Sequence, residues 1–136
     1  GFAGARASEL FATLTLGRYA GLNIDVEAES TRLVGVSADG ASVVTIDGMS
    51  DGTADQLYLA LRLAALEQSL DAGIALPFLA DDLFINFDDR RAHAGFKVLG
   101  EIARRTQVLF FTHHEHLRAI AERALHPHTL SVRDLV

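Results

Sequence analysis

Asp81 and Asp82 stand side by side at the end of the apolar run Pro77 to Ala80, and Asp88 and Asp89 follow seven residues later. Four carboxylates within nine residues of otherwise apolar sequence repel one another unless a cation or an arginine stands among them. Mg2+ takes oxygen ligands and is commonly held by one or two carboxylates together with substrate phosphate, so Asp81 is a candidate ligand, directly or through water. Asp82 is then placed to orient or deprotonate an attacking water, the task of a general base. Asp88 or Asp89 also fits the N-cap of a following helix, where a short carboxylate accepts free backbone N–H groups.

Two further stretches carry groups that can meet phosphate. In Phe110 to Leu117, His113 closes an apolar run and could hydrogen-bond a phosphoryl oxygen or a water, while His114 and His116 begin the next helix. His113 and His116 have a spacing seen in zinc sites, yet no cysteine and no clear third ligand accompanies them, and zinc needs three or four. Ser50, Asp51 and Gly52 lie just before an apolar helix, where free N–H groups and the positive end of the helix dipole attract an anion. Thr53 and Gln56 match a Thr-x-x-Gln capping box at that helix start.

The elements that must hold these residues follow from periodicity. Leu10, Phe11 and Leu14 are at helical spacing over Ala7 to Thr15, and Gly17 is the stop signal. Asn23 to Glu29, Arg32 to Ala38 and Ala41 to Asp47 alternate as strands, and Asp39-Gly40 predicts a tight two-residue hairpin turn between the last two. From Thr53 onward a helix (54–70), a strand (Pro77 to Ala80), a helix (89–105), a strand (Gln107 to Thr112), a helix (114–125) and a short strand (Thr129 to Val132) alternate, which implies helices crossing over a parallel sheet. The first of these helices is apolar nearly all round, so Arg62 within it must snorkel to the surface or meet a carboxylate. The core strands are continuous apolar runs, the pattern of strands covered on both faces, and each ends in polar groups where α/β sheets bind ligands.

Composition sets outer bounds. The 136 residues, 49% hydrophobic with two prolines, suit one domain over 1–136 with an apolar core. There is no cysteine, hence no disulfide framework, and no secretion signal or run of roughly 18 apolar residues, so a cytoplasmic setting without membrane insertion is expected. A net charge of −6 argues against a chain that binds nucleic acid over its whole surface. Arg90, Arg91, Lys97, Arg104 and Arg105 could still form a local basic strip.

The order of the three motifs resembles one family. Met49-Ser-Asp-Gly running into Gln-Leu-Tyr-Leu-Ala-Leu-Arg-Leu-Ala, then Phe-Leu-Ala-Asp-Asp with Asn86-Phe87-Asp88, then Phe-Phe-Thr-His-His, is similar to the SbcC, RecN and SMC branch of ABC-type ATPases, and especially to YhaN-like bacterial AAA-family ATP-binding proteins. The resemblance implies an α/β fold: the C-terminal half of a P-loop NTPase head, mainly a parallel sheet flanked by helices, with an antiparallel hairpin region before it. Residues 1–16 or so would then be the helical stub of a coiled coil. It implies ATP and Mg2+ as cofactors, Ser50 and Gly52 as the signature pair on the γ-phosphate of a partner head, and Asp81 as the Mg2+ aspartate. Asp82 falls at the catalytic base, Asn86 and Asp88 at the D-loop, and His113 at the switch histidine.

Met49 for the usual leucine is a volume-conserving change, and Asp82 for glutamate shortens the reach of the base. The only lysine is Lys97, so no Walker A motif is present. In the resembling family that motif lies in an N-terminal lobe across a coiled coil, which implies that the present residues are a fragment inactive without it. Implied partners are that lobe, a second head, DNA and an SbcD-type nuclease. Rival readings are a metal-dependent phosphohydrolase or nuclease built on Asp81, Asp82, Asp88 and His113, and a non-catalytic dimerisation module.

Overall fold

The computed structural model describes residues 3–27 and 30–135. They form two compact units that part between Ile74 and Ala75.

The first unit opens with α1, Ala3–Leu14. Its apolar stripe buries Leu10, Phe11 and Leu14 almost completely. The helix closes as Gly17 predicts: Leu16 and Gly17 take left-handed backbone angles, and the Gly17 N–H reaches back to the Ala12 carbonyl at 2.8 Å. Three antiparallel strands follow, β1 (Tyr19–Glu27), β2 (Ser30–Ser37) and β3 (Val43–Thr45), in that order across the sheet. β1 begins earlier than the alternation suggests, and residues 28 and 29 of the expected strand lie outside the described residues.

The β2–β3 hairpin is real, but its turn is longer than two residues. Ser37 N–H bonds to Ser42 O at 2.9 Å and Gly40 N–H to Ser37 O at 2.9 Å, so the loop runs from Ala38 to Ala41. Of the Asp-Gly pair only Gly40 takes a positive φ, 73°. Asp39 instead closes the loop with its side chain, accepting from the Ser37 hydroxyl at 2.6 Å and the Ala41 N–H at 2.9 Å. Those two bonds hold its carboxyl below its ordinary pKa, the Ser37 bond contributing most. β3 then ends after three residues in a 3-10 turn, Ile46–Gly48, where alternation predicts strand to Asp47.

Helix α2, Asp51–Asp71, packs against α1 and buries Leu57, Leu59, Leu63 and Leu66. Each such leucine contributes about 2 kcal/mol through apolar area removed from water. Arg6 of α1 forks onto Glu67 of α2, Nε to Oε2 at 2.9 Å and Nη2 to Oε1 at 3.1 Å. Arg62 reaches the exposed surface of the helix.

The second unit is a β–α–β crossover with a further helix: β4 (Phe78–Asp81), α3 (Asp89–Ile102), β5 (Val108–Phe111) and α4 (Glu115–Ala124). β4 and β5 are parallel, with Phe78 opposite Val108 and Asp81 opposite Phe111. Ala92, Phe96, Leu99 and Ile102 of α3 and Leu117, Ile120 and Ala121 of α4 are buried, and the two helices pack together.

Two expectations fail here. Thr129 to Val132 is not a strand: a turn closes from His126 O to Thr129 N–H after Pro127, and no described strand lies beside the segment to pair its backbone. Nor are β4 and β5 covered on both faces. Phe78 and Ala80 are buried, while Leu79, Leu109 and Phe111 are exposed by 55%, 38% and 41%. The continuous apolar run does mark two apolar faces, of which the described residues cover one.

Candidate functional site

Side-chain alternation fixes the aspect of the acidic pair. Neighbours across a parallel pair share a face, so Asp81 lies with Leu79, Leu109 and Phe111 on the open face of the β4–β5 sheet, at its C-terminal edge. Asp81 is exposed. Asp82 leaves the strand at once: its N–H still bonds to Phe111 O at 2.8 Å, but its φ of 52° is left-handed and turns the chain away from the sheet. One carboxylate oxygen of Asp82, Oδ1, is buried and finds no hydrogen-bond donor among the described residues. A buried acceptor left empty costs about 1–3 kcal/mol.

His113 lies two residues beyond Phe111, the register partner of Asp81. The parallel pairing therefore brings Asp81, Asp82 and His113 to the same end of adjacent strands. His113 is exposed, in a turn fixed from behind by Thr112, whose Oγ1 accepts the His114 N–H at 3.0 Å. Thr112 escaped the sequence reading, although a threonine just ahead of a helix start is a usable signal for such a turn. His114 occupies the N-cap position of α4 and His116 its first turn. Among the described residues no three histidines or acids converge so as to hold a metal by themselves. A single carboxylate sharing Mg2+ with nucleotide phosphate does not require such a group.

Asp88 is the N-cap of α3, accepting from the Arg91 N–H at 2.8 Å and pairing with the Arg91 guanidinium. The backbone bond, reinforced by the ion pair, holds its carboxyl below the ordinary value. Its contribution to stability is therefore present above the unfolded-state pKa and is lost as pH falls through the lowered folded one. Asp88→Ala is expected to lower stability by about 1 kcal/mol at neutral pH, the usual cost of losing a cap. The difference from the parent should close as thermal melts are repeated at pH values below the carboxylate range. Asn86 is exposed, two residues before the cap. The five basic residues do not act as a uniform strip: Arg91 is engaged by Asp88, and Arg104 lies 3.7 Å from Glu101.

In the first unit the helix start lies one turn earlier than the Thr53–Gln56 box places it. Ser50 is the N-cap of α2: its Oγ accepts the Thr53 N–H at 3.2 Å and donates to Thr53 Oγ1 at 2.9 Å. Gln56 is buried, and its Oε1 has no partner among the described residues, so it does not reach back as a capping box requires. Ser50 wins because it is itself a strong cap three residues ahead of a side chain that can answer it. The first helical bond is Ala54 N–H to Ser50 O at 2.9 Å, which leaves the N–H groups of Asp51 and Gly52 ahead of the ladder. Ser50 is exposed, so an anion at this helix start could meet two backbone donors and the positive end of the helix dipole.

No family model matches the chain. It is 34% identical over 113 residues to the uncharacterized protein YhaN of Bacillus subtilis (strain 168), an alignment that takes in 82% of the chain and 11% of that protein's length. Among solved structures it is similar to one described under the structural biochemistry of ATP-driven dimerization and DNA-stimulated activation of SMC ATPases, with a TM-score of 0.70 and 22% identity, over 88% of this chain and 72% of the other. An Smc head bound to the C-winged helix domain of ScpA superposes with a TM-score of 0.70 and 21% identity, over 88% of this chain and 36% of that one. In fold, the chain is similar to SMC head domains.

Proposed function

We propose that this chain is the C-terminal lobe of a head that binds and hydrolyses ATP, and that two such heads close on nucleotide. The observation that supports the reading is the placement of Asp81, Asp82 and His113 at one end of the parallel β4–β5 pair. The capped, anion-ready start of α2 at Ser50 supports it independently. Magnesium ATP, when bound, would supply the phosphoanhydride to be broken and a metal charge to offset that of its oxygens. Asp81 would hold the ion directly or through a water. Asp82, next to Asp81 at the strand end, would take a proton from the attacking water. His113 would hydrogen-bond at the γ-phosphate. Ser50 and Gly52 would meet the γ-phosphate held by the partner head, with Asn86 and Asp88 at the interface between heads.

The exposed stripe of Leu79, Leu109 and Phe111 beside Asp81 fits coverage by a Walker A lobe of the same protein, which these residues do not include. DNA as the load and an SbcD-type nuclease as a partner belong to the same reading, by resemblance. No helix among the described residues is long and apolar enough to cross a membrane.

The test compares the full-length protein with the 136 residues alone. The full-length protein should hydrolyse ATP with Mg2+, the isolated chain should not, and adding the Walker A lobe should restore turnover. Robust ATP hydrolysis by the isolated chain after repurification would overturn the proposal. So would Mg2+-dependent cleavage of simple phosphate esters with no nucleotide preference, which is the behaviour of a phosphohydrolase.

A further inference from the structure

Phe84 combines two features that rarely coincide. It is buried, at 3% exposure, and its φ is 73°, a left-handed conformation that is strained for a residue with a bulky side chain. With Asp82 at 52°, two non-glycine residues out of three are left-handed, and such backbone persists only when its surroundings hold it.

The ring of Phe84 supplies that hold. Its centroid lies 4.8 Å from Phe87, 5.3 Å from Phe110 and 4.9 Å from Phe96, which it meets edge to face. It also presses on α3 at Gly95, where an added Cβ would fall 2.5 Å from Phe84 Cζ, a distance that real Cβ contacts do not reach. Phe96 and Phe110 are themselves 5.0 Å apart, so the ring closes an aromatic cluster. The ring itself and two of its contacts lie close in sequence to different parts of the candidate site. Phe84 follows Asp82 by two residues, Phe87 lies between Asn86 and Asp88, and Phe110 precedes His113 by three on β5.

We infer that Phe84, seated on Gly95, is a positioning residue that sets Asp82, the Asn86–Asp88 loop and the His113 turn relative to one another. This rests on the ATPase reading above, and it assigns the aromatic cluster a role beyond filling the core. The Asp82 carboxylate depends on a backbone turn that no regular hydrogen-bond ladder defines, and the ring substitutes for the ladder.

The experiment uses the full-length protein and measures turnover per ATP-bound head, so that loss of folded protein does not count. Phe84→Leu is expected to lower kcat by about 10- to 100-fold, as sub-ångström misplacement of a catalytic group does, while KM for ATP stays within about twofold. Gly95→Ala should act alike, because its new Cβ must displace the ring. Combining Gly95→Ala with Phe84→Leu should recover part of the loss seen in Gly95→Ala, since leucine ends short of the Cζ position. If Phe84→Leu does not fold, Phe84→Met, which keeps length and apolar volume, is read in the same way. Unchanged turnover per bound head in the folded Phe84 variant, or simple additivity in the double variant, overturns the inference. Asp82→Asn is the control: if it abolishes turnover while Phe84→Leu leaves it intact, the positioning role alone fails. If Asp82→Asn is also without effect, Asp82 is not the base and the positioning role built on it fails, whereas the ATPase reading itself fails only if the parent protein does not hydrolyse ATP.

Discussion

Asp82→Asn in the full-length protein is expected to lower ATP turnover by about 10²- to 10⁴-fold, the range for losing a positioned general base, and to accumulate a closed, ATP-bound dimer. Asparagine is the informative replacement for a structural reason. Asp82 sits at φ 52° with its N–H bonded to Phe111 O at 2.8 Å, and asparagine is among the few residues that accept left-handed backbone at low cost. The turn and the strand end should therefore survive, and only the proton acceptor is removed. Alanine would confound the result by adding strain where φ is positive. Nucleotide binding is expected to persist because Asp81 is untouched, and closure of the dimer because Ser50 is. Single-turnover hydrolysis, with gel filtration in the presence of ATP and Mg2+, reads both effects. Hydrolysis at the parent rate would mean that another group takes the proton.

The residues at that strand end were legible in the sequence because they break a pattern. An apolar run that stops at Asp81-Asp82, and another that stops at His113-His114, mark two strand ends without any coordinates. Helical and βαβ order were legible for the same reason: burial imposes periodicity, and periodicity survives in a single sequence. What did not show is whatever depends on a partner. Leu79 and Phe111 read as buried because they are apolar, yet exposure is decided by what lies opposite, and the described residues place nothing there. Thr129 to Val132 has strand composition, but a strand exists only by pairing. The start of α2 was misplaced by one turn because Ser50 and Thr53 are both good caps, and their preference is settled by the mutual bond at 2.9 Å. Phe84 was invisible as a positioning residue, since nothing in a phenylalanine announces a positive φ, and Gly95 lies eleven residues away with no local reason to be glycine.

Ser50→Arg is expected to abolish ATP-dependent dimerisation of the full-length protein while each head still binds nucleotide. One hydroxyl has two roles to separate: Ser50 caps α2 through Thr53, and in the proposed function it is also the group offered to the phosphate. Loss of the cap costs about 1 kcal/mol, small beside the roughly 5–15 kcal/mol that holds a domain folded, so the head should remain intact. The arginine side chain, however, would occupy the space in front of Asp51 and Gly52, where the proposed function brings the partner's phosphate. Ser50→Asp isolates the effect: aspartate caps a helix as well as serine does, but sets a negative charge against phosphate. It should leave the melting temperature near that of the parent and still weaken the dimer. Chromatography with ATP in the hydrolysis-deficient Asp82→Asn background, where the closed state should accumulate, gives the readout. Should both Ser50 variants dimerise with the affinity of the parent, the start of α2 is a capped helix and nothing more, and the phosphate of the partner must be held elsewhere.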